Sequence, residues 1–399
     1  MGPLMPVDDA LELLLEGAVC RAGVERIDIR RAAGRVAAKA VSAAINVPPA
    51  DNSAMDGYAF AHAGVAEGAT LSISMRIPAG AAPSALSPGT AARIFTGAPM
   101  PLGADTVVMQ EDTRAEGDAV TITELPALHN NVRLAGQDIA VGSEVIAAGR
   151  RLRAPDLGLA TSVGVHEIDT YEPLRVALMA TGDELVEPPQ PLRPGQIYNS
   201  SHYALTALLE RDGFEVVDLG LVADTQEATE AALTVGATRA DCILSTGGVS
   251  VGEEDHVKRA VEATGALDLW RLRIKPGKPL AFGRVGDTPF FGLPGNPVST
   301  FVTYWILARP WLLSSQGCTE CKPNWFHALA RFEFRGGSRR EYLRVRLERD
   351  SSGQEGLTKY PNQGSGVLSS VAWATGLAEI EVEQQVSIGD TVRYYPTSI

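Results

Sequence analysis

Apolar and polar positions change texture several times along the chain. Val7 to Val19 places Leu11, Leu14 and Leu15 on one face and Asp8 and Asp9 near its start, which predicts an amphipathic helix. Ile27 to Ala43 starts with an alternating piece and continues as RAAGRVAAKAV, which fits helix or strand. From Val47 the apolar runs become short, alternating and broken by Gly and Pro: LSISMRI, AARIFTGAPMP, TVVMQE and AVTITEL. Successive side chains of a strand face opposite sides, so this alternation predicts a small all-β domain with hairpin turns. RRLRAPDLGLATSVGV then predicts a short helix leading into a strand. The segments on either side of the β region are of similar type, so the β-domain is expected to be an insertion.

From Arg175 strands and helices alternate. Arg175 to Ala180 and Phe214 to Leu221 read as strands. Ser200 to Arg211 reads as a helix stopped by Gly213, and Gln226 to Arg239 as a helix with Asp224 and Glu227 as its capping box. Three further apolar runs (Cys242 to Leu244, Leu272 to Ile274, Pro289 to Leu293) each deliver a Gly- or Pro-rich loop, as buried strands do. A helix with Val257, Ala260 and Val261 ends at Gly265, and Gly286-Asp287 suits a two-residue hairpin turn. Asn296-Pro297 is an N-cap followed by proline at the first helical position, opening a helix through Leu313. This order predicts a doubly wound α/β sheet with its loops on one edge, where ligands of such sheets bind. After Cys321 the alternation returns in ALARFEF, EYLRVRLER, LAEIEVE and TVRYY, a second small β-domain of about 75 residues.

The loops of that edge carry the candidate chemistry. Ser245-Thr246-Gly247-Gly248-Val249-Ser250 can cradle an anion, because glycine lets backbone N–H groups approach closely. Lys275-Pro276-Gly277-Lys278-Pro279 presents two ammonium groups on a stiff loop. Asp183, Glu184, Asp224, Glu253, Glu254 and Asp255 supply hard oxygen ligands of the kind Mg²⁺ prefers. Each feature also has a plain structural reading. A loop acid commonly caps a helix, and a glycine pair commonly makes a tight strand-to-helix connection. Asp56, Asp138 and Thr96 sit in Gly-flanked turns, where turn chemistry alone accounts for them. Walker A, GxGxxG and HExxH are absent from the sequence, and no GxSxG serine elbow fits a strand-turn-helix context.

Bulk properties narrow the partners. A chain of 399 residues suggests about 2–3 domains. A net charge of −13 disfavours nucleic acid and anionic membranes as partners. Cys20, Cys242, Cys318 and Cys321 are too few for a disulfide scaffold and suit a reducing cytosol. Cys318 and Cys321 have CxxC spacing, but only His327 lies close downstream, so ordinary surface thiols are expected rather than a zinc site. No apolar run reaches the ~20 residues of a membrane span, and acids interrupt the N-terminus. A soluble, cytoplasmic protein is expected.

Seven motifs occur in order: DNSAMDGYA (51–59), IFTGAPMP (94–101), GQDI (136–139), TGDEL (181–185), STGGVSVGEED (245–255), IKPGKPLAFG (274–283) and GLPGNPVS (292–299). Together they resemble the molybdopterin molybdenumtransferase family, the MoeA-type enzymes and the E domain of gephyrin, over nearly the whole chain. The resemblance implies a multidomain α/β plus β architecture. Residues 3–22 and 174–322 would form a molybdopterin-binding α/β domain, 23–41 and 143–173 a linking α+β domain, 42–142 the inserted β-domain and 323–399 a C-terminal β-barrel-like domain. It implies insertion of molybdenum from molybdate into adenylylated molybdopterin with release of AMP, dependent on Mg²⁺, by a homodimer. In that dimer the inserted domain of one subunit closes the site of the other. A molybdopterin adenylyltransferase and apo-molybdoenzymes become the neighbouring partners.

Carried over by position, Asp56, Asp138, Glu184 and Asp255 match catalytic acids, and Glu184, Asp224 and Asp255 match metal ligands. Thr96, Thr181, Gly247, Gly248, Ser250, Lys275, Lys278, Pro294, Pro297, Ser299, Arg339 and Ser365 match substrate-binding positions. Gln137 stands where many members have Glu, and Ala374-Thr375-Gly376 where an Ala-Asn pair is common. Alternative readings keep the fold as a scaffold without turnover, or keep the phosphate chemistry for another nucleotide-linked cofactor. The complete set of acids and lysines, with no appended domain, favours the transferase.

Overall fold

A computed structural model describes residues 4–248, 256–351 and 353–397, the side chain of Leu269 excepted. Helix α1 (Val7–Glu16) opens the chain and buries Val7, Ala10 and Leu14. It stops before Val19: Gly17 N still bonds to Leu13 O, but Ala18 N turns to Leu15 O in a tighter closing turn, and Val19 is 65% exposed. The ambiguous stretch after it begins as strand: Val24–Asp28 pairs antiparallel with Glu167–Tyr171. Helix α2 (Ala154–Ser162) adds Ala160 to their shared core with Ile27, Ile29, Ile146 and Ile168. This small body is therefore assembled from chain on both sides of the insertion.

The inserted sheet runs Thr106–Met109, Gly57–Phe60, Thr90–Ile94, Thr70–Ile77, Ala119–Ile122, Thr113–Glu116. Its alternation fills a core on each face, with Phe60 and Val108 on one and Ile77 and Ile94 on the other. Hairpins do not account for all of it. Thr70–Ile77 and Thr90–Ile94 are parallel, and the Pro-, Ala- and Gly-rich connector between them crosses over instead of turning back.

The α/β body begins with β1 (Arg175–Thr181), which is buried beyond its first residue because both faces are covered. Val176 and Leu178 meet Leu205 and Leu209 of helix α3 (Ser200–Asp212). Ala177 and Met179 share the other core, toward the helix that follows β2 (Glu215–Val222), α4 (Gln226–Arg239), with Leu233. Then come β3 (Cys242–Thr246), α5 (His256–Thr264), β4 (Gly265–Arg271), β5 (Ile274–Lys275), β6 (Pro279–Val285) and β7 (Thr288–Leu293). The sheet order is β2-β1-β3-β7-β6-β4. The pairs β1–β2, β1–β3 and β3–β7 are parallel, so three strands deliver their carboxyl ends to one edge beside β2. β6 runs antiparallel to both β7 and β4, and the expected hairpin at Gly286-Asp287 joins β6 to β7.

Several expectations are corrected here. Leu272 and Ile274 are buried, but they are not a strand of this sheet; β5 leaves it and β4 takes the edge. The capping residue of α4 is Thr225, whose hydroxyl accepts from Ala228 N at 3.3 Å, so Asp224 is free of that duty. The helix from Pro297 is not uniform. It runs as α6 (Pro297–Thr303), a wider π-type stretch Tyr304–Ala308, and α7 (Arg309–Ser315). Pro310 has no N–H for the Ile306 carbonyl and its ring would clash there, which favours widened turns. Asp212, 2% exposed, anchors this stretch by accepting from Tyr304 Oη and Arg309 Nε at 2.9 Å each. Cys318 and Cys321 are buried rather than on the surface, because Cys318 N returns to Leu313 O; burial raises both thiol pKa values.

The C-terminal body contains β8 (Phe326–Leu329), β9 (Arg340–Arg349), β10 (Glu355–Lys359), helix α8 (Leu368–Trp373), β11 (Gly376–Ile380) and β12 (Thr391–Pro396). Its order is β5-β9-β11-β12-β8, with β10 also on β9. A bridge between Ala330 and Leu357 joins the β8 side to β10 and closes a small barrel around Val345, Ala378, Ile380 and Val392. The chain thus has the multidomain α/β plus β fold. Among the described residues no helix is long and apolar enough to cross a membrane.

Candidate active site

The parallel strands end at Thr181, Thr246 and Leu293, and the loops after them form one wall of a cleft of about 650 Å³. That size suits a small-molecule site. Gly247 and Gly248 have φ +85° and +65°, and a Cβ on Gly247 would lie 2.4 Å from Thr181 O. No other residue type allows this loop to lie so close to β1. Glu184, Pro294, Pro297 and Ser299 line the same wall. Asn296 lines it too; as expected it is the N-cap of α6, its backbone carbonyl accepting from Thr300 N at 2.9 Å, while its side chain makes no capping bond.

Lys275 to Pro279 form the facing loop. Gly277 has φ +107°, and a Cβ there would stand 2.6 Å from Thr303 Cγ2, so glycine is what lets the loop lie on α6. Lys275 Nζ pairs with Glu341 at 3.0 Å; the carboxylate is 5% exposed and the ammonium 50%. Lys278 is exposed; its carbonyl accepts from Leu272 N at 2.7 Å, and its side chain makes no hydrogen bond or ion pair among the described residues. Arg339 donates to Ile274 O at 3.1 Å and keeps its charge for the cleft. Gln363, Gly364 and Ser365 complete the lining from the C-terminal body. A side chamber of about 60 Å³ adjoins it through Glu184, Gly247 and Pro297, with Thr181, Ser200 and Ser201 in its walls.

Asp224 lies beside this edge, where Thr181 Oγ1 donates to its Oδ1 at 3.2 Å. Ser250 and Asp255, and with them Glu253 and Glu254, lie outside the described residues. The described residues contain no cluster of three or more His, Cys, Asp or Glu side chains able to hold a metal. Glu184 and Asp224 nevertheless offer hard oxygen donors, and Mg²⁺ needs only one or two carboxylates besides substrate oxygens.

The acids of the insert are elsewhere. Asp56 accepts from Thr96 N at 2.8 Å and Thr96 Oγ1 at 2.9 Å. These bonds, the backbone one foremost, hold its carboxyl below the usual carboxylate range. Asp138 is exposed in the turn whose backbone returns to Val47 O. Asp56, Thr96 and Asp138 do not line the cleft of their own chain. Pattern reading missed Ile197, Gln363 and Glu341. Only Glu341 carries a signal, an acid on the buried face of the alternating run REYLRV.

Three family profiles account for most of the chain: MoeA N-terminal region (domain I and II) at residues 5–164, probable molybdopterin binding domain at 177–314, and MoeA C-terminal region (domain IV) at 328–397. A molybdopterin molybdenumtransferase of Haemophilus influenzae is 37% identical over 398 residues, 98% of each chain. The chain belongs to the molybdopterin molybdenumtransferase family. A member from Nostoc is 39% identical over 296 residues, covering 72% of this chain and 68% of its own. A Pyrococcus horikoshii molybdopterin biosynthesis MoeA protein superposes with TM-score 0.79 at 29% identity, over 99% of both chains. As a transferase of molybdenum cofactor biosynthesis, this family member builds its cleft from two of the matched regions. Glu184 to Ser299 lie in the molybdopterin-binding region, and Arg339 and Gln363 to Ser365 in the C-terminal one.

The Asp56 geometry makes a pH prediction. Thr96→Val removes the hydroxyl donor and leaves the N–H. The Asp56 pKa should rise yet stay below the ordinary aspartate value, as read by ¹³C NMR titration of its carboxyl. A group with a depressed folded pKa stabilises the protein above its unfolded pKa and loses that contribution as pH falls through the folded one. In the variant that loss should therefore be smaller and should be complete at a higher pH. An unshifted titration would show that the hydroxyl bond contributes nothing.

Proposed function

We propose that the enzyme inserts molybdenum from molybdate into adenylylated molybdopterin and releases AMP, with Mg²⁺ as the activating ion. The observation that carries this reading is the cleft itself. It gathers Lys275, Lys278 and Arg339 with the Gly247-Gly248 loop at the strand edge, beside the carboxylate of Glu184. Such a site is built for anions, and both molybdate and an adenylylated pterin phosphate are anions.

Hydrolysis of the phosphoanhydride adds a water oxygen to one phosphorus and sends the bridging oxygen out with the other phosphate. Negative charge grows on the leaving phosphate, and fixed ammonium groups stabilise that charge without reorganising. Lys278, whose ammonium has no ion pair among the described residues, is the residue assigned to it. Lys275 and Arg339, held by Glu341 and Ile274 O, orient the second anion, molybdate. Capture of molybdenum by the two pterin thiols sends their protons out with one oxo group as water. Mg²⁺, when bound, screens the phosphate oxygens, and Glu184, Asp224 and Asp255 are the acids assigned to hold it.

Asp56, Thr96 and Asp138 enter through a homodimer, in which the inserted domain of the partner subunit faces the cleft. Their distance from the cleft of their own chain supports this. The reading places the enzyme in the cytoplasm, after a molybdopterin adenylyltransferase and before the apo-molybdoenzymes that receive the cofactor. The net charge of −13 supports the absence of nucleic acid among its partners.

Incubation with adenylylated molybdopterin, Mg²⁺ and molybdate should release AMP and yield cofactor that activates an apo-molybdoenzyme. Lys278→Ala should lower kcat/KM by about 100-fold, the typical loss for one charge-stabilising donor, with an unchanged Tm. No AMP release from the native enzyme under any metal condition would refute the reading. The dimer is tested by mixing Asp56→Ala subunits with Lys278→Ala subunits, each strongly impaired alone. Activity should return once subunits exchange, because one site of the mixed dimer is intact. Mixed dimers that form and stay inactive would place both residues in one subunit's site.

A further inference from the structure

Arg344 is 1% exposed, among the largest fully buried side chains of the chain. Among the described residues no carboxylate lies within ion-pair distance of it. Its guanidinium instead donates to Ser370 Oγ at 3.1 Å, Tyr342 O at 3.1 Å and Gly364 O at 3.2 Å. Burial lowers its pKa to about 10, so it stays charged at neutral pH. A buried guanidinium without a paired acid is costly, and an apolar residue would serve a merely structural buried position better. Two of its three acceptors belong to the segment that carries the cleft loop.

The same segment is tied to β9 a second way. Gln363 Oε1 accepts from Arg344 N at 2.9 Å, and Gln363 Nε2 donates to Arg344 O at 3.0 Å and Tyr360 O at 2.8 Å. On its far side Ser365 O accepts from Val298 N, in the first turn of α6. Between these ties lies the Gly364–Ser365 peptide. It is trans, so its C=O and N–H point in opposite directions. With Gly364 O turned onto Arg344, the Ser365 N–H points away from the guanidinium, and no acceptor takes it among the described residues. Gly364 and Ser365 both line the cleft.

We propose that Arg344 is a positioning residue that turns the Gly364–Ser365 peptide so that the Ser365 N–H serves as an anion donor in the cleft. This rests on the anion-binding reading given above and deepens it. A lysine cannot replace the arginine, because one ammonium does not reach three acceptors in the planar geometry of the guanidinium fork. The charge behind the peptide also adds to the positive potential that the anion meets.

Selective ¹⁵N-serine labelling of the full chain and titration with molybdate test the donor directly. The Ser365 amide proton should move downfield in step with binding. Arg344→Lys, which keeps the charge and loses the fork, should weaken molybdate binding by about tenfold, as loss of one hydrogen bond to a charged group does. If that variant does not fold, the amide shift in the native protein decides alone. A Ser365 amide that stays still while molybdate binds overturns the inference and leaves the cleft reading standing. A native chain that binds no molybdate overturns the cleft reading, and the inference with it.

Discussion

Ile274 and Lys275 leave the α/β sheet and pair, in parallel, with Arg340 and Glu341 of the C-terminal barrel. The rest of the site depends on that short crossing. It pins the start of the Lys275–Pro279 loop to one body while Pro279–Val285 returns the chain to the other. The pin is electrostatic as well as hydrogen-bonded. Glu341 is buried, and Lys275, with a backbone bond from Gly337 N at 3.2 Å, compensates its carboxylate, so removing the lysine would leave a buried charge without an ionic partner. The barrel is therefore part of the cleft: it supplies Arg339, the Gln363–Ser365 loop and the acid that holds a lysine in place.

This arrangement reconciles an acidic protein with the anionic substrates proposed for it. The chain carries a net charge of −13, yet its cleft concentrates Lys275, Lys278 and Arg339 on rigid supports. Walls of low dielectric focus the field of such a cluster, while the surrounding negative surface discourages larger polyanions. Glycine makes the geometry possible where two backbones nearly touch, at Gly247 against β1 and Gly277 against α6. The cations and the backbone donors can then address one small volume.

Much of this was legible in the sequence, for identifiable reasons. The alternating runs of the insert and the barrel, and the apolar runs of β1, β3 and β7, follow from which faces are covered, and periodicity reports that. Gly213 and Gly286 marked a helix end and a hairpin because few other residues adopt those conformations. What failed was partner choice. Leu272 and Ile274 were correctly read as buried, but burial does not say which sheet a strand joins. Thr225 and Asp224 are adjacent acceptors, and only the backbone direction decides which one caps α4. Gln363 and Arg344 were invisible as site-forming residues because their role lies in hydrogen bonds between segments remote from the Lys275 loop in sequence.

The central claim is that the cleft between the α/β body and the barrel is where molybdate binds. Anomalous diffraction at the molybdenum absorption edge, from crystals of the full chain equilibrated with molybdate, tests it most directly. The account predicts an anomalous peak inside the cleft, within hydrogen-bond reach of Lys275 or Lys278 and near Arg339 and Ser365. A saturated crystal whose molybdenum peak lies away from these residues, or that shows none, would contradict it.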